Sequence, residues 1–506
     1  MGAKKLRGLV LYLMAVMILG GVMWQAAPNA ASAQGVQSAP LQITVHSGER
    51  LGPIQLRGLM AANWANVNDQ SYYALLDSGL VAYRHRLKHD MVNVTRRDGC
   101  AATDGSCLDF DFTAFDAHYN EFTGTFPLSE SGVVVISGTP RALSSQPDAA
   151  DGAFWAYAPA SWEEWTAYIR AMVTRRVEKF GLAGAQYLIG DEPDDMANWR
   201  GTPETADTLP AFLTLYVETA FAIKAVDPSA LVGGPGVQHW GDLGRNAYVW
   251  GLAEFLRGLK AYPNPRNAAI PLDLIDWHDY AQQSTQLADG VASVDALVSE
   301  LGFAPKPAYV ISAWNRARAG NCGTHTPLQV ASHAAHNLIR EAANPSTHRL
   351  SQAYWSAFEL EQDCPNVALM VMPESSPAKP EYCLRPLYAV YQMLTEMKVG
   401  DAVRVDVPEP LVGVATRYQG DRVFLALNNN SAEALKLAIT FSNVTLEEPL
   451  NRTVYRVNEE FSSDCMGLEL GRKTRIELTD LAHLMEYEIP AYGSLMVVLA
   501  RDSKYW

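Results

Sequence analysis

Tyr187-Leu188-Ile189-Gly190-Asp191-Glu192-Pro193-Asp194-Asp195 is the stretch that decides how the rest of this 506-residue chain is read. A short apolar run stops in two adjacent carboxylates and a proline. An apolar run of that length reads as a buried strand. Proline fixes φ, has no N–H and drives the preceding Glu192 toward extended backbone, so the strand ends there. Two carboxylates at the mouth of a buried strand have a chemical use. Burial raises a carboxyl pKa, and a like-charged neighbour raises one of the pair further. An acid can thereby stay protonated near neutral pH and donate its proton. The plain alternative is an acidic loop facing water.

Outward from that stretch the same texture repeats. Apolar runs at 81–83, 132–137, 231–235, 272–278, 308–315 and 352–359 read as strands. Helical periodicity covers 162–180, closed by Gly181, then 209–226, 248–259, 291–301, 328–343 and 386–398. Strands alternating with helices give parallel βαβ units. About eight such units predict an α/β fold, a (β/α)8 TIM barrel, over residues 51–398. Polar side chains collect where these strands end: Arg84, His85, Asp191, Glu192, His278, Tyr280, Asn315 and Glu359. In such barrels the active site lies at that face. Beyond 399 the pattern becomes short strands (411–416, 423–427, 435–439, 495–499) between Asn, Gly and Pro turns, which predicts a C-terminal β-sandwich over 399–506. Residues 34–50 form a polar leader carrying an alternating strand at 41–45.

The net charge of −15 argues against nucleic-acid or anionic-membrane partners. Lys4, Lys5 and Arg7 precede the apolar run 9–24, and Ala31-Ser32-Ala33 offers a cleavage site. Residues 1–33 therefore read as a signal peptide, and the mature chain as secreted, periplasmic or extracellular. No later stretch is long enough to span a membrane on this reading, so no membrane partner remains after cleavage. All six cysteines lie in the exported part, where an even count favours disulfides. Cys100 and Cys107 bracket a turn and are expected to pair. No Cys/His spacing suggests zinc, and neither metal nor organic cofactor is implied. The oligomeric state is not legible. Twelve Trp and 22 Tyr suit sugar binding and core filling alike.

Several motifs together resemble the retaining glycoside hydrolases of the (β/α)8 clan, most closely the family 39, β-xylosidase-like type. Gly190-Asp191-Glu192-Pro193 is similar to that family's Gly-Asn-Glu-Pro. Thr219-Ala220-Phe221-Ala222-Ile223-Lys224-Ala225-Val226-Asp227-Pro228 and Val232-Gly233-Gly234-Pro235 are similar to its Thr-Ala-x-Ala-Ile-Lys…Asp-Pro…Val-Gly-Gly-Pro. Trp277-His278-Asp279-Tyr280 resembles its His-x-Tyr, and Tyr354-Trp355-Ser356 its last barrel strand. The resemblance implies a carbohydrate substrate and Glu192 as general acid/base.

Two positions depart from the family pattern. The nucleophile signature Thr-Glu-Trp-Asn reads Ser312-Ala313-Trp314-Asn315 here, and no Asp or Glu lies between Glu300 and Glu341. Asp191 replaces the Asn that contacts the sugar 2-hydroxyl. Retention needs two carboxylates about 5 Å apart, and inversion a wider gap with water between. Four routes stay open. Ala313 is an engineered knock-out of a retaining enzyme; or Asp191 orients a 2-acetamido group that attacks in place of the protein; or Glu359, Glu361 or Asp279 activates a water; or the barrel binds sugar without cleaving it. Arg84 is expected to hold the acidic cluster, touch substrate, or both. His278 is a candidate cleft residue, and Trp314 and Trp355 either floor a sugar subsite or fill the core.

Overall fold

The structure, a computed structural model, describes residues 39–54, 56, 59, 61–63, 82–125, 132–203, 207–238, 240, 250–266, 268–280, 287–316, 325–343, 350–355, 370–371, 383–397, 400–418, 422–442, 450–458, 477–478 and 485–500. After β1 (Leu41–Pro53) come β2 (Ala61–Asn63), β3 (Ala82–Leu87) and a hairpin, β4 (Asn93–Arg96) with β5 (Leu108–Asp111). Then follow α1 (Thr113–Thr125), β6 (Val133–Ile136), α2 (Trp162–Phe180), β7 (Gln186–Ile189), α3 (Leu209–Val226), β8 (Leu231–Val237) and α4 (Leu252–Ala261). The run continues with β9 (Leu274–Asp279), α5 (Leu287–Leu301), β10 (Ala308–Trp314), α6 (Pro327–Ala343) and β11 (Leu350–Trp355). A short pair, β12 (Met370–Val371) and β13 (Cys383–Leu384), precedes α7 (Pro386–Thr395).

Eight strands close into a barrel in the order β10-β11-β2-β3-β6-β7-β8-β9, and every pair is parallel. Side chains of successive residues alternate between the two faces. Val133, Val135, Leu188, Leu274, Val310 and Tyr354 form a small inner core. Their neighbours Val134, Ile136, Tyr187, Ile189, Ile275, Tyr309 and Ile311 join the larger layer shared with the helices. Both faces are covered, so the strands read as continuous apolar runs. Full burial of each such aliphatic side chain stabilises by about 1.5–3 kcal/mol.

Helix α2 has the limits that the sequence predicts. The Ser161 hydroxyl accepts from the Glu164 N–H, and Gly181 closes the helix at φ 68°, where a Cβ would be strained. Helix α3 also matches. By length and composition it is apolar enough to cross a membrane, contrary to the expectation that no later stretch would be. Phe212, Tyr216, Val217, Ala220 and Ile223 on it are buried. Helix α1 and the β4–β5 hairpin were not read from the sequence. Cys100 and Cys107 pair as expected, with Cα atoms 5.6 Å apart.

The C-terminal strands are β14 (Asp401–Asp406), β15 (Leu411–Tyr418), β16 (Arg422–Asn429), β17 (Leu435–Ser442), β18 (Leu450–Val457), β19 (Glu477–Leu478), β20 (Met485–Ile489) and β21 (Ser494–Ala500). They form one nine-stranded mixed sheet, β19-β18-β21-β16-β15-β14-β1-β17-β20. The strand expected at 41–45 is present and runs on to Pro53 as β1, a strand of that sheet, antiparallel to β14 and parallel to β17. The alternation of Ile43 and Val45 puts both in a core with Leu425, Leu437 and Val497. The opposite face, with Phe424, Ala426 and Val498, joins the barrel core. Ser332 on α6 ties the two together, donating to the Asn429 carbonyl at 3.3 Å and accepting from Asn428 at 3.1 Å.

Candidate active site

Strand β7 ends at a sharp turn. Gly190 has φ 105°, and a Cβ there would lie 2.6 Å from the Pro235 carbonyl oxygen and 2.8 Å from the Phe212 ring. Only glycine fits. Glu192 follows at φ 53°, in the left-handed region and not in the extended backbone expected before Pro193. Its N–H donates to the Gly236 carbonyl at 2.9 Å and its carbonyl accepts from Asp195 at 3.1 Å. These bonds hold a conformation that costs on the order of 1 kcal/mol or more and that is common where function requires it. Asp194, wholly buried, accepts from the Gln238 N–H at 3.1 Å and pins the turn to β8.

The turn aims the two carboxylates at different partners. Asp191 Oδ1 is ion-paired to Arg84, and Oδ2 lies 2.6 Å from Arg86 Nη2. Burial works against its charge, but Arg84 and Arg86, with His278, hold its carboxyl down at about 2. Asp191 is therefore ionised near neutral pH. Glu192 Oε1 shares a hydrogen bond with His278 Nδ1 at 2.9 Å, and its side chain stays 19% exposed. Asn198 reaches Oε2 at 3.5 Å. His278 Nε2 is 3.7 Å from Asp191 Oδ1, so one imidazole stands between both carboxylates.

Beneath this layer is Asp276, which the sequence reading passed over. It is fully buried and accepts from the Ser312 N–H at 3.0 Å and hydroxyl at 2.8 Å. Burial pushes its carboxyl up to about 6, against the pull of His278 and Arg84. The alternation Leu274, Asp276, His278 was the signal that places it on the inner face. Arg84, Arg86 and Lys88 alternate in the same way, which was the signal for Arg86.

Other expected residues divide. Tyr280 stands edge-on to His278, with ring centroids 5.9 Å apart. Ala313 is register-paired with His278, so its methyl group occupies the inner face beside the Glu192 partner. Asn315 is buried, its Oδ1 accepting from the Arg316 N–H at 2.6 Å. His85 points the other way, out of the barrel, with its Nε2 2.5 Å from His118 on α1; burial pushes its pKa well down. Trp314 and Trp355 are 0% exposed and pack edge-to-face at 4.6 Å, with Trp314 against His333 of α6. Core packing claims both, because the register bulge in β10 turns Trp314 outward. The Asp279 carboxylate lies against Gly290 of α5, on the helix side. Glu359 and Glu361 lie outside the described residues.

A cavity of about 230 Å³ opens beside Asp191. Arg86, Lys88, His89 and Asn198 line it together with Trp155, Trp199 and Phe212. His89 stacks on Trp155, with centroids 5.3 Å apart and planes 13° apart. Among the described residues no group of three or more His, Cys, Asp or Glu is placed to hold a metal ion.

A parallel barrel with a carboxylate-bearing cleft at its strand carboxyl ends is the class of protein that these features define. The family model for glycosyl hydrolases family 39 matches residues 59–398, and the chain belongs to that family. Membership implies a carbohydrate substrate. No curated protein matches the chain. Among solved structures it is similar to the family 39 enzyme from Xanthomonas axonopodis pv. citri, at 15% identity and TM-score 0.69, over 93% of this chain and 99% of that one. It is also similar to a monomeric β-xylosidase from Caulobacter crescentus CB15, at 17% identity and TM-score 0.69, covering 91% and 99%. A third is a glucosidase from Croceicoccus marinus, at 14% identity and TM-score 0.63, covering 92% and 99%. At these identities the likeness speaks for the fold.

Proposed function

We propose that the chain is an exported glycosidase in which Glu192 protonates the departing glycosidic oxygen and no protein carboxylate attacks the anomeric carbon. One observation carries this reading: Glu192 and Ala313 both attend His278, but only Glu192 brings a carboxyl group. The Glu192 proton passes to the leaving oxygen as the C–O bond breaks, and the sugar develops oxocarbenium character. The new bond to C1 comes from a water or from the acetamido oxygen of a 2-acetamido sugar. A water needs a base, for which Glu359 and Glu361 are the candidates. Asp279 is set aside because its carboxylate faces α5.

Asp191 serves as the fixed negative charge. Each of its oxygens spends one lone pair on an arginine and keeps another for an acetamido N–H or a sugar hydroxyl. Export is supported by the charged, apolar and small-residue order of residues 1–33 and by the Cys100–Cys107 bond.

A second reading, a saccharide-binding protein without turnover, is favoured by the same Ala313. Reducing-sugar release from xylan, arabinan, β-glucan and amino-sugar polymers separates the two. Release that disappears in Glu192→Gln supports the enzyme, whereas binding without release in either protein supports the binder.

A further inference from the structure

The cavity of about 230 Å³ is not the cleft between Glu192 and His278, and neither of those residues lines it. Its floor lies on the helix side of β6 and β7. Ile136 and Ile189 end those strands and belong to the layer shared with the helices. Trp165 of α2 and Phe212 and Leu215 of α3 complete the floor, and all five side chains are buried. The polar edges of this lining are already spent. Trp165 Nε1 donates to Thr219 Oγ1 at 2.8 Å, Trp199 Nε1 to the Thr208 carbonyl at 3.1 Å, and Thr139 Oγ1 to the Tyr157 carbonyl at 2.7 Å. What they leave facing the space is apolar and largely aromatic.

The mouth differs from the floor. Lys88 is exposed there, and His89, Trp155 and Asn198 are half-buried. Its charges are matched locally. Arg86 is spent on Asp191 at 2.6 Å and on the Ser137 hydroxyl at 2.9 Å, and Lys88 and Asp90 act in opposite senses on the same His89 ring. His89 lies parallel to Trp155, with centroids 5.3 Å apart, so a flat face borders the entrance.

We propose that this cavity is a second binding site, separate from the saccharide cleft, for one small neutral aromatic molecule of phenol type. Its ring would sit on the apolar floor and its hydroxyl at the mouth, beside His89 and Asn198. The volume exceeds the roughly 150 Å³ of an apolar cavity that binds benzene. A pyranose does not suit the floor, because each buried hydroxyl without a partner costs binding free energy. An aromatic ring suits it better than a saturated one, since ring edges and faces attract. The site also adjoins the turn that carries Glu192: Gly190, Asp191 and Pro193 line it, and Asn198 both lines it and reaches Glu192 Oε2 at 3.5 Å.

The test is a ¹⁹F NMR titration of the full chain with 4-fluorophenol, using phenol, cyclohexanol and xylose as competitors. Saturable binding is expected with a Kd on the order of 0.1–1 mM, from the area one ring buries. Phenol is expected to displace the probe, cyclohexanol to need at least about threefold more, and xylose in large excess to leave it bound. Leu215→Trp, which fills the floor, is expected to weaken binding at least about tenfold. Trp155→Ala removes a half-buried wall, is the gentler change for the fold, and is expected to weaken binding about three- to tenfold; it carries the test if Leu215→Trp does not fold. Absence of saturable binding, equal displacement by cyclohexanol, displacement by xylose, or unchanged binding in the folded variants overturns the proposal. No readout here needs turnover, so its failure leaves the glycosidase reading standing, and loss of that reading leaves this site standing.

Discussion

The carboxyl ends of β7 and β10 stand on either side of His278 and could hardly differ more. At β7 the backbone is forced through Gly190 and a left-handed Glu192, and two carboxylates are spread among two arginines and a histidine. At β10 every side chain is occupied within the protein. Ser312 is bonded to Asp276, Ala313 is a buried methyl, Trp314 faces the helices, and Asn315 accepts from Arg316. Strain and buried charge each cost stability unless something repays them. The barrel keeps both at β7 and neither at β10. On the function proposed above, the β7 end carries the working carboxyl group and the β10 end serves packing alone.

Four substitutions would break or sharpen that contrast. The largest effect belongs to Glu192→Gln, which removes the transferable proton and keeps the shape. Turnover is expected to fall about 10²- to 10⁴-fold with little change in saccharide affinity, read as kcat against Kd. Next is Trp314→Ala at the β10 end, where a wholly buried indole leaves a cavity: a loss of about 3–5 kcal/mol in chemical unfolding, with no specific loss of saccharide affinity in the protein that remains folded. Arg84→Met, on β3 beside the β7 end, leaves Asp191 with Arg86 and the more distant His278. Breaking that buried pair is expected to cost about 3 kcal/mol, and the Asp191 carboxyl should titrate higher by NMR.

The last effect, of similar size, is a pH dependence. The carboxyl of Asp276 is raised to about 6 in the folded chain, above its unfolded value near 3.8. Between those values the folded state binds the extra proton, so this residue's contribution to stability is present below about pH 4 and is lost as pH rises through 6, by about 1.4 kcal/mol per unit. Asp276→Asn should flatten that part of a plot of unfolding midpoint against pH. Asp191 acts in the opposite sense: its folded-state value is depressed to about 2, so it stabilises above about pH 4 and the benefit disappears as pH falls toward 2.

Much of this architecture was legible before the structure. The barrel followed from apolar runs alternating with helical periods, and α2 and α3 kept their predicted limits because Ser161, Gly181 and Pro210 punctuate them. The place of β1 was not legible, since its pairing with β14 and β17 joins residues far apart in sequence, and no local pattern encodes a strand's partner. Asp191, Glu192, Arg84, His278 and Tyr280, gathered from the sequence because strand ends could be located, do lie together in the structure. His85 was misassigned because it neighbours Arg84 but has the opposite parity on the same strand. The choice left open for Trp314, subsite floor or core, was undecidable from sequence for a related reason: a one-residue bulge in β10 reverses which face a side chain occupies, and nothing in the local composition announces it. Asp276 was overlooked because it lies inside an apolar run, where a carboxylate looks like an interruption and not a member of the layer below.

The measurement that bears most directly on the proposal that no protein carboxylate attacks is intact-protein mass spectrometry with a 2-deoxy-2-fluoro glycoside of whichever sugar is hydrolysed, run beside ¹H NMR of the first-formed anomer. The account predicts an unmodified protein mass while Glu192-dependent hydrolysis proceeds. A stoichiometric glycosyl adduct on any Asp or Glu would contradict it.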